Sequence, residues 1–351
     1  MLRLLRDNRD IRIVFFAQIV SYLGDWFTFV ALTAAVYEHT HSKFLVSLVM
    51  VAGLAAFVNP AVGASVPNLA RDADELQKAS QLFGSTWGVM MTVGASLGGI
   101  FSAVFGRRAA FTADVITFVI AAFLFSLVKG KMQQHDSSQS KRVHPVADMR
   151  EAVHVAREDR VIGALMMSKT VWAIGGGLVS QLAVLSADIF HVGDAGLGAM
   201  VAARGIGSAL APIIAIRMSR GDLANVMFLC GAGAMAFGGI YIAAAWVPWF
   251  ALALVLIVLA HLGSGSQWVA STYGLQIRTP DHVRGRVIAG DFALVTLMLG
   301  ATSAIAGAVS NHIGVRATIS VFAGVSLICA IGYSAFIQPI RKGLHSQQPP
   351  I

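Results

Sequence analysis

Two charged residues lie deep inside long apolar stretches of the sequence. Asp25, in SYLGDWF, lies about 14 residues into one stretch, and Arg204, in VAARGIG, lies about ten residues into another. A charge near the middle of a bilayer costs roughly 2.5 to 3.5 kcal/mol or more, so it needs a partner or a function. Asp25 could carry a coupled proton, bind a cationic solute or pair with a neighbouring helix. Arg204 could contact an anionic solute or pair with an acid.

Other polar side chains also interrupt the apolar stretches. Gln18, Gln181, Gln267 and Trp268 could line a cavity, and each of them alone is typical of an interhelical hydrogen bond or a packing contact. Lys169 lies near the end of its stretch, where the long stem could carry the ammonium group to the membrane interface.

Three charged residues cluster around the start of the ninth apolar stretch. Arg284 and Arg286 precede it and Asp291 follows RGRVIAG, so we assign the three to a cytoplasmic loop region with a structural role. The same kind of role is expected for Asp114, which begins the fourth stretch close to two arginines.

Glycines recur four residues apart in the third stretch. They form the pairs Gly84 with Gly88 and Gly94 with Gly98, and Gly99 follows the second pair. Small residues at this spacing let a neighbouring helix approach closely. We expect these glycines to serve helix packing, and the alternative role is to let the helix rock against its neighbour.

The sequence shows no sign of enzyme or metal chemistry. The histidines at 39, 41, 135, 144 and 154 lie in loops without acids at ligand spacing, and both cysteines lie inside apolar runs. We find no H-E-x-x-H, G-x-S-x-G, P-loop or strand-linked G-x-G-x-x-G motif, and no filter loop or pore ring typical of a channel. We therefore expect no cofactor, no metal and no enzymatic activity.

Composition places the chain in a membrane. Hydrophobic residues make up 56% of the 351 residues and charged residues 13%, whereas soluble domains carry roughly 25% charged residues. Apolar stretches of about 20 residues recur almost end to end, and a helix satisfies its own backbone hydrogen bonds in lipid. The sequence therefore predicts an all-α integral membrane protein.

Ten transmembrane helices are predicted, four before and six after a long polar segment. They cover 12–36, 44–66, 81–105, 109–128, 161–187, 195–216, 223–245, 247–272, 287–310 and 313–337. In the polar segment, ADMREAVHVARED is typical of an amphipathic helix on the membrane surface. The predicted parts are a shortened N-terminal bundle (1–128), a cytoplasmic linker (129–160), a six-helix C-terminal bundle (161–337) and a cytoplasmic tail (338–351).

The basic residues predict the orientation. If the N-terminus is cytoplasmic, 20 of the lysines and arginines outside the spans lie on the cytoplasmic side and four on the other, as the positive-inside rule requires. This placement accounts for the net charge of +8, so no nucleic-acid partner is expected. The arginine-rich N-terminus shows no cleavage site and is predicted to be retained.

Two parts of the sequence resemble each other, but at different offsets. GGIFSAVFGRRA (98–109) matches AGAVSNHIGVRA (306–317) with an offset of 208, whereas FLVSLVMVAGLAA (44–56) matches GLGAMVAARGIGS (196–208) with an offset of 152. The first half would therefore lack 56 residues, about two spans with their loops. We predict that 44–66 is one continuous helix, fused from the start of a second helix and the end of a fourth.

Three segments carry a family resemblance. NRDIRIVFFAQIVSYLGDWFTFVAL (8–32), the segment from VPNLARDADELQ to DVITFV (66–119) and RTPDHVRGRVIAG (278–290) resemble the major facilitator superfamily. The likeness is to the bacterial efflux branch that contains enterobactin exporters and macrolide efflux proteins. It implies six plus six helices, a solute path between the halves and export of a small molecule against proton entry.

The sequence departs from the family pattern in two places. GASLGG (94–99) is similar to the antiporter motif of the fifth helix, with Ala95 in place of the usual proline. The superfamily's basic and acidic loop after the second helix is missing, and RMSRGDL (217–223) is its degenerate counterpart. In the family that loop helps to gate the cytoplasmic mouth.

The resemblance implies a secondary transporter of the bacterial inner membrane with both termini in the cytoplasm. It would export a small amphiphilic molecule such as a drug or a siderophore by proton antiport with alternating access, and we expect a monomer. The alternative is an internally shortened member of the same family that does not transport, because a four-helix first half leaves the cavity without one wall.

Overall fold

The computed structural model describes residues 2–54, 69, 71, 73–129, 145–219 and 222–346, and these residues form helices without strands. The N bundle consists of α1 (Leu2–Asp7), α2 (Arg9–Thr40), α3 (Lys43–Leu54), α4 (Ala73–Phe105) and α5 (Arg107–Ser126). The C bundle consists of α6 (Pro145–Glu158), α7 (Arg160–Gly176), α8 (Gly193–Ser219), α9 (Leu223–Trp246), α10 (Phe250–Arg278), α11 (Asp281–Ile313) and α12 (Val315–Ser346).

In this part of the chain eight helices are long and apolar enough to cross a membrane. They correspond to the first, the fourth and the last six predicted spans, so the chain is a multi-pass membrane protein. The third predicted span lies in α4, where Val89–Phe105 is a shorter apolar segment. Of the predicted 44–66 helix, α3 covers the part to Leu54, and the proposed fusion point lies outside the described residues. The count of ten stays a prediction.

The helix predicted within the linker segment 129–160 is present, and its position on the membrane surface stays a prediction. α6 covers the predicted amphipathic segment, and Ala152 on it is buried against α11, where a Cβ on Gly290 would lie 2.7 Å from the Ala152 Cβ. At the other end of the C bundle, α12 continues to Ser346. The segment predicted as a tail from residue 338 is therefore helical over its first nine residues.

α7 changes its winding where it meets the N bundle. After Gly176 the chain forms a 3-10 turn (Gly177–Gln181), a short α turn (Leu182–Val184) and a π turn (Leu185–Ile189), which we call the α7 extension. A 3-10 stretch inside a helix often marks a hinge or a strained sequence, and π turns occur frequently at functional sites. A Cβ on Gly177 would lie 2.3 Å from the carbonyl oxygen of Thr302, so this close approach to α11 requires glycine.

The two bundles begin and end with matching turns. Asn8 caps α2 with φ −113° and ψ 103°, and Asp159 caps α7 with φ −109° and ψ 106°. Gly106 before α5 and Gly314 before α12 have φ of 83° and 81°, a region that glycine enters without strain. The GRRA and GVRA segments of the sequence therefore form the same turn in both bundles.

Candidate solute site between the two bundles

The bundles meet along two helix pairs, α4 with α8 and α3 with α11. A Cβ on Gly99 of α4 would lie 2.8 Å from the carbonyl oxygen of Asp194, and one on Gly307 of α11 would lie 2.4 Å from the Ser47 hydroxyl. Small residues thus let the two backbones approach across the interface.

The remaining glycines of α4 have a different neighbour. A Cβ on Gly94 would lie 2.9 Å from the Trp26 Cβ, and one on Gly98 would lie 2.9 Å from the Phe27 Cα. Both therefore pack α4 against α2 inside the N bundle. The surroundings of Gly84 and Gly88 lie outside the described side chains.

One group of polar links joins the bundles at the ends of the helices opposite the chain termini, which we call the opposite face. Arg107 at the start of α5 binds Asp194 at the start of α8 through two contacts of 3.0 Å, and Ser102 donates to the same carboxylate at 2.6 Å. Arg107 also pairs with Glu38 of α2. A bidentate guanidinium–carboxylate pair fixes geometry as well as charge.

A second group lies beside it. Lys43 at the start of α3 has its ammonium nitrogen 3.8 Å from Asp188 of the α7 extension and donates to the carbonyl of Ser310 at 3.2 Å. The Tyr37 hydroxyl also bonds Asp188. N bundle and C bundle are therefore tied together on this face by two acids of the C bundle.

The terminal face, the side that holds both helix caps Asn8 and Asp159, is connected differently. Asn8 donates to the Leu69 carbonyl at 3.0 Å within the N bundle, and Arg278 binds Asp159 at 2.7 Å within the C bundle. Among the described residues no side-chain hydrogen bond or ion pair joins the two bundles on this face. The polar ties between the bundles that the described residues form thus lie on the opposite face.

A narrow cavity lies between the bundles, below the links of the opposite face. Its free space is about 10 Å³, close to room for one water molecule. It is lined by Phe29, Thr33, Val46, Val179, Ser180, Leu182, Ala183, Leu197, Val201 and Arg204. Both bundles contribute, so separation of the bundles would enlarge it.

Arg204 is the charged member of this lining. Its Nε donates to Nε2 of His261 on α10 at 3.3 Å, and the Tyr241 hydroxyl of α9 lies 2.9 Å from the same ring nitrogen. No carboxylate of the described residues lies within ion-pair distance of Arg204, so the acid partner considered from the sequence is not found there.

Gln181 contributes to a polar contact across the interface. Its side-chain nitrogen donates to the hydroxyls of Ser47 on α3 and Ser180, both at 3.0 Å, and all three residues are buried. Of these three residues, the sequence analysis singled out only Gln181. Its partner Ser47 was missed because a serine in an apolar helix is a weak signal.

Lys169 forms a buried ion pair. Its nitrogen lies 2.5 Å from Oδ2 of Asp291, and the two side chains are 3% and 2% exposed. The prediction that Lys169 reaches the membrane interface is wrong. Asp291 on α11 lies beside the ammonium group and neutralises its charge inside the bundle, so the group does not have to reach water. The loop assignment of Arg284, Arg286 and Asp291 is also wrong, since α11 already begins at Asp281.

Trp268 and Gln267 surround this ion pair on α10. The Lys169 nitrogen lies 5.1 Å from the centre of the Trp268 ring, which is cation–π distance. Gln267 donates to the backbone carbonyl of Ser168 at 2.6 Å. These residues belong to the interior of the C bundle and are separate from the Arg204 cavity.

The two arginines before the ion pair have structural partners. Arg284 donates to the carbonyl of Thr279 at 3.1 Å from Nη2, which satisfies the end of α10. Arg286 pairs with Glu151 of α6 and holds that helix against α11.

Asp25 lies on α2 with an exposed side chain and, in the described part of the chain, without a hydrogen bond or an ion pair. Asp114 on the facing α5 accepts from Thr28 at 2.5 Å. Gln18, two turns before Asp25, donates to the Tyr22 hydroxyl at 2.6 Å. The structure thus keeps Asp25 apart from Arg204 and gives Gln18 a partner on its own helix.

Three functional candidates were missed in the sequence. His261 and Tyr241 complete the Arg204 cluster, and Asp194 anchors the links of the opposite face. A histidine inside the apolar run of α10 is an unusual residue and could have been singled out. Asp194 gave no signal, because it looks like an ordinary loop acid.

Two bundles of membrane-spanning helices enclose a largely apolar cavity that contains one arginine, which is the arrangement of a transporter of the major facilitator superfamily. The model of the transmembrane secretion effector family matches residues 3–347. The chain belongs to this family, whose members are transporters and not enzymes.

Solved structures share the fold. A POT family transporter in complex with 5-aminolevulinic acid has a TM-score of 0.67 and 10% identity, with 95% of this chain and 97% of that chain covered. A bacterial homologue of the human lysosomal transporter Spinster, inward-facing and unoccupied, has a TM-score of 0.65 and 12% identity, with coverage of 97% and 98%. The human organic anion transporter MFSD10 (TETRAN) has a TM-score of 0.55 and 14% identity, with coverage of 92% and 82%. No curated protein sequence matches.

Proposed function

We propose that this chain exports a small amphiphilic molecule, such as a drug or a siderophore, by proton antiport with alternating access. It would work as a monomer in the bacterial inner membrane, with both termini in the cytoplasm. The observation that carries the proposal is the set of polar ties between the bundles that the described residues form on the opposite face. Arg107 with Asp194 and Lys43 with Asp188 close the opposite face, and no polar side-chain link of the described residues closes the terminal face.

This arrangement is what alternating access requires of one of its end states. A carrier of this type exposes its central site to one side at a time, and rigid bundles rock around that site. The excess of positive charge on the terminal face supports a cytoplasmic position for it. The closed links would then lie on the outer side, and the central cavity would open toward the cytoplasm.

Asp25 is the proposed proton-coupling residue. A carboxylate inside a membrane span is a functional candidate by default, and this one lacks a hydrogen-bond or ion-pair partner in the described structure. By contrast, Lys169 and Asp291 already neutralise each other.

The test is extrusion of a fluorescent amphiphile from an efflux-deficient bacterium. The unaltered chain should lower the cellular dye, a protonophore should abolish the effect, and Asp25→Asn should abolish it as well. Asp222→Asn is the matched control, because Asp222 caps α9 on the terminal face and asparagine caps equally well. Extrusion that survives both the protonophore and Asp25→Asn would contradict proton antiport.

The second candidate, a shortened chain that inserts without transporting, also has structural support. The matching caps Asn8 and Asp159 are 151 residues apart, whereas the matching turns at Gly106 and Gly314 are 208 apart. The N bundle therefore holds 57 fewer residues between equivalent points, which is the length of two spans with their loops. Correctly inserted protein that extrudes none of several dyes would favour this candidate.

The number of crossings can be measured separately. After replacement of Cys230 and Cys329 by alanine, single cysteines placed from residue 41 to residue 71, which includes both ends of the predicted 44–66 helix, would be labelled with a membrane-impermeant reagent from either side. One switch of labelling side across this segment supports the fused helix and the ten-helix topology. Labelling from one side throughout, or from alternating sides, contradicts it.

A further inference from the structure

The guanidinium of Arg204 has more hydrogen-bonding capacity than the protein uses. Arg204 lies about 16 Å along α8 from its first residue, Gly193, by helix rise. Of its N–H groups, the described structure engages Nε through His261, and neither Nη has a protein acceptor. Arg204 also lines the cavity between the bundles. Its unused donors therefore belong to a site that a ligand can reach.

The charge of Arg204 is likewise not compensated by a carboxylate of the described residues. His261 and Tyr241 are its neighbours, and neither supplies a negative charge to an arginine that donates to the imidazole. The same bundle shows the alternative arrangement, because Lys169 is matched by Asp291 at 2.5 Å. A cation in a membrane-spanning segment is normally paired or functional. Among the described residues Arg204 lacks the protein anion that Lys169 has.

The other residues that line the cavity indicate the chemistry of the rest of the ligand. Phe29, Val46, Leu182, Leu197 and Val201 give an apolar surface. Thr33 and Ser180 add two hydroxyl groups from opposite bundles. A ligand that satisfies this lining carries one anionic group at an end and an apolar body.

We propose that Arg204 binds the carboxylate of an amphiphilic anion in this cavity, with His261 and Tyr241 as positioning residues. A planar guanidinium matches a carboxylate through two parallel hydrogen bonds. The present free space of about 10 Å³ holds only about one water, so the ligand enters when the bundles separate. This inference specifies the substrate class and rests on the proposed function for its transport role.

The experiment compares two probes that differ in one charge, dansylglycine and its methyl ester. Binding to the purified full chain in lipid nanodiscs is followed by energy transfer from the protein tryptophans to the dansyl group. Hydrogen bonds to charged groups are the strong ones, so the acid should bind at least about tenfold more tightly than the ester. Equal affinities, or no binding of either probe up to millimolar concentration, would overturn the proposal.

Variants test whether Arg204 causes the preference for the acid over the ester. Arg204→Gln should reduce the ratio of acid to ester affinity to near one, and Arg204→Lys should keep part of it, because lysine keeps the charge but not the planar fork. Arg108→Gln is the matched control, since Arg108 is an exposed arginine of α5 outside the cavity. A thermal melt verifies that each variant is folded. An unchanged ratio in folded Arg204→Gln would also overturn the proposal.

Binding and transport can fail independently. A tenfold preference for the acid that depends on Arg204 supports the anion site. If the same chain extrudes no dye, only the proposed transport function is contradicted. Extrusion of dyes without any preference for the acid upholds transport and rejects the anion site.

Discussion

α5 and α12 close their bundles in the same way, but they are covered differently. Both follow a glycine with positive φ, and both pack on the first long helix of their bundle. Val115 of α5 is 62% exposed, whereas Ala323, its counterpart at an offset of 208, is fully buried. Ala323 is covered by α9, where a Cβ on Gly238 would lie 2.7 Å from its carbonyl oxygen.

This difference does not extend to the contact between the first and the last helix of each bundle. A Cβ on Gly24 of α2 would contact Asp114 of α5, and one on Gly175 of α7, at the offset of 151, would lie 2.8 Å from the carbonyl of Phe322. The contact between first and last helix is therefore present in both bundles. The described part of the N bundle has no counterpart of α9 over Val115. Lipid can cover that apolar face without loss, because lipid tails are as apolar as leucine.

The two bundles also treat their charges differently. The C bundle neutralises Lys169 with Asp291 in its interior. The N bundle presents Asp25 without a described partner. The C bundle thus neutralises Lys169 internally and leaves Arg204 without a described acid, whereas the N bundle leaves Asp25 without a described partner.

The largest expected effect tests this contrast of charges. Lys169→Met alone and Asp291→Leu alone should each lower the free energy of unfolding by about 3–5 kcal/mol, because one buried charge loses its partner. The double variant should recover most of that loss. The measurement is detergent-induced unfolding in mixed micelles. Asp25→Asn is the comparison and should change stability by less than about 0.5 kcal/mol; a loss comparable to the single variants would mean that Asp25 is paired.

A prediction of intermediate size tests whether α5 lacks the helix cover that α9 gives to α12. Ala323→Leu should lower the free energy of unfolding by about 1–3 kcal/mol, since it overpacks the contact with α9. Val115→Leu, the equivalent change on α5, should stay within about 0.5 kcal/mol because its side chain faces outward. The same unfolding assay applies to both. If Val115→Leu destabilised as strongly as Ala323→Leu, a helix would have to cover α5 as well.

The smallest effect concerns the terminal face of the N bundle. Partial burial alone would raise the pKa of Glu75, but hydrogen bonds from the Arg71 backbone N–H and from Asn8 lower the pKa below its usual 4.5. A lowered folded-state pKa adds stability above pH 4.5 that is lost as pH falls through the folded value. Glu75→Gln should therefore cost about 1 kcal/mol at pH 7, and this cost should shrink as pH falls below 4.5.

The stability of Glu75→Gln would be followed by thermal melting across that pH range. The ion pair of Arg278 with Asp159, at the equivalent place in the C bundle, provides the comparison. A loss for Glu75→Gln that did not depend on pH would show that packing, and not the carboxylate charge, is what residue 75 contributes.

Much of the fold could be predicted from the sequence. Apolar runs placed eight long helices correctly, because length and hydropathy alone decide whether a segment suits a bilayer. The repeat around GRRA and GVRA identified the turn of both bundles, since glycine with positive φ leaves a local signature. The predicted fusion at 44–66 stays open, and it rests on offsets that the matching caps and turns support.

The candidate site was only partly predictable. Asp25 and Arg204 stood out because charge is rare in apolar runs, and local sequence is enough to show that. The partner of each charge was not visible. Lys169 is paired with Asp291 across 122 residues, whereas Arg204 has no described acid, and His261 joins it from 57 residues away.

The sequence by itself determined that the chain is helical, crosses a membrane repeatedly and is built from two related halves, because these properties depend on composition and local periodicity. The tertiary structure decided which charges are neutralised, which face of the bundle interface is closed and which helix face lies uncovered. Those properties depend on side chains brought together from distant parts of the chain, and spacing along one sequence does not encode their distances.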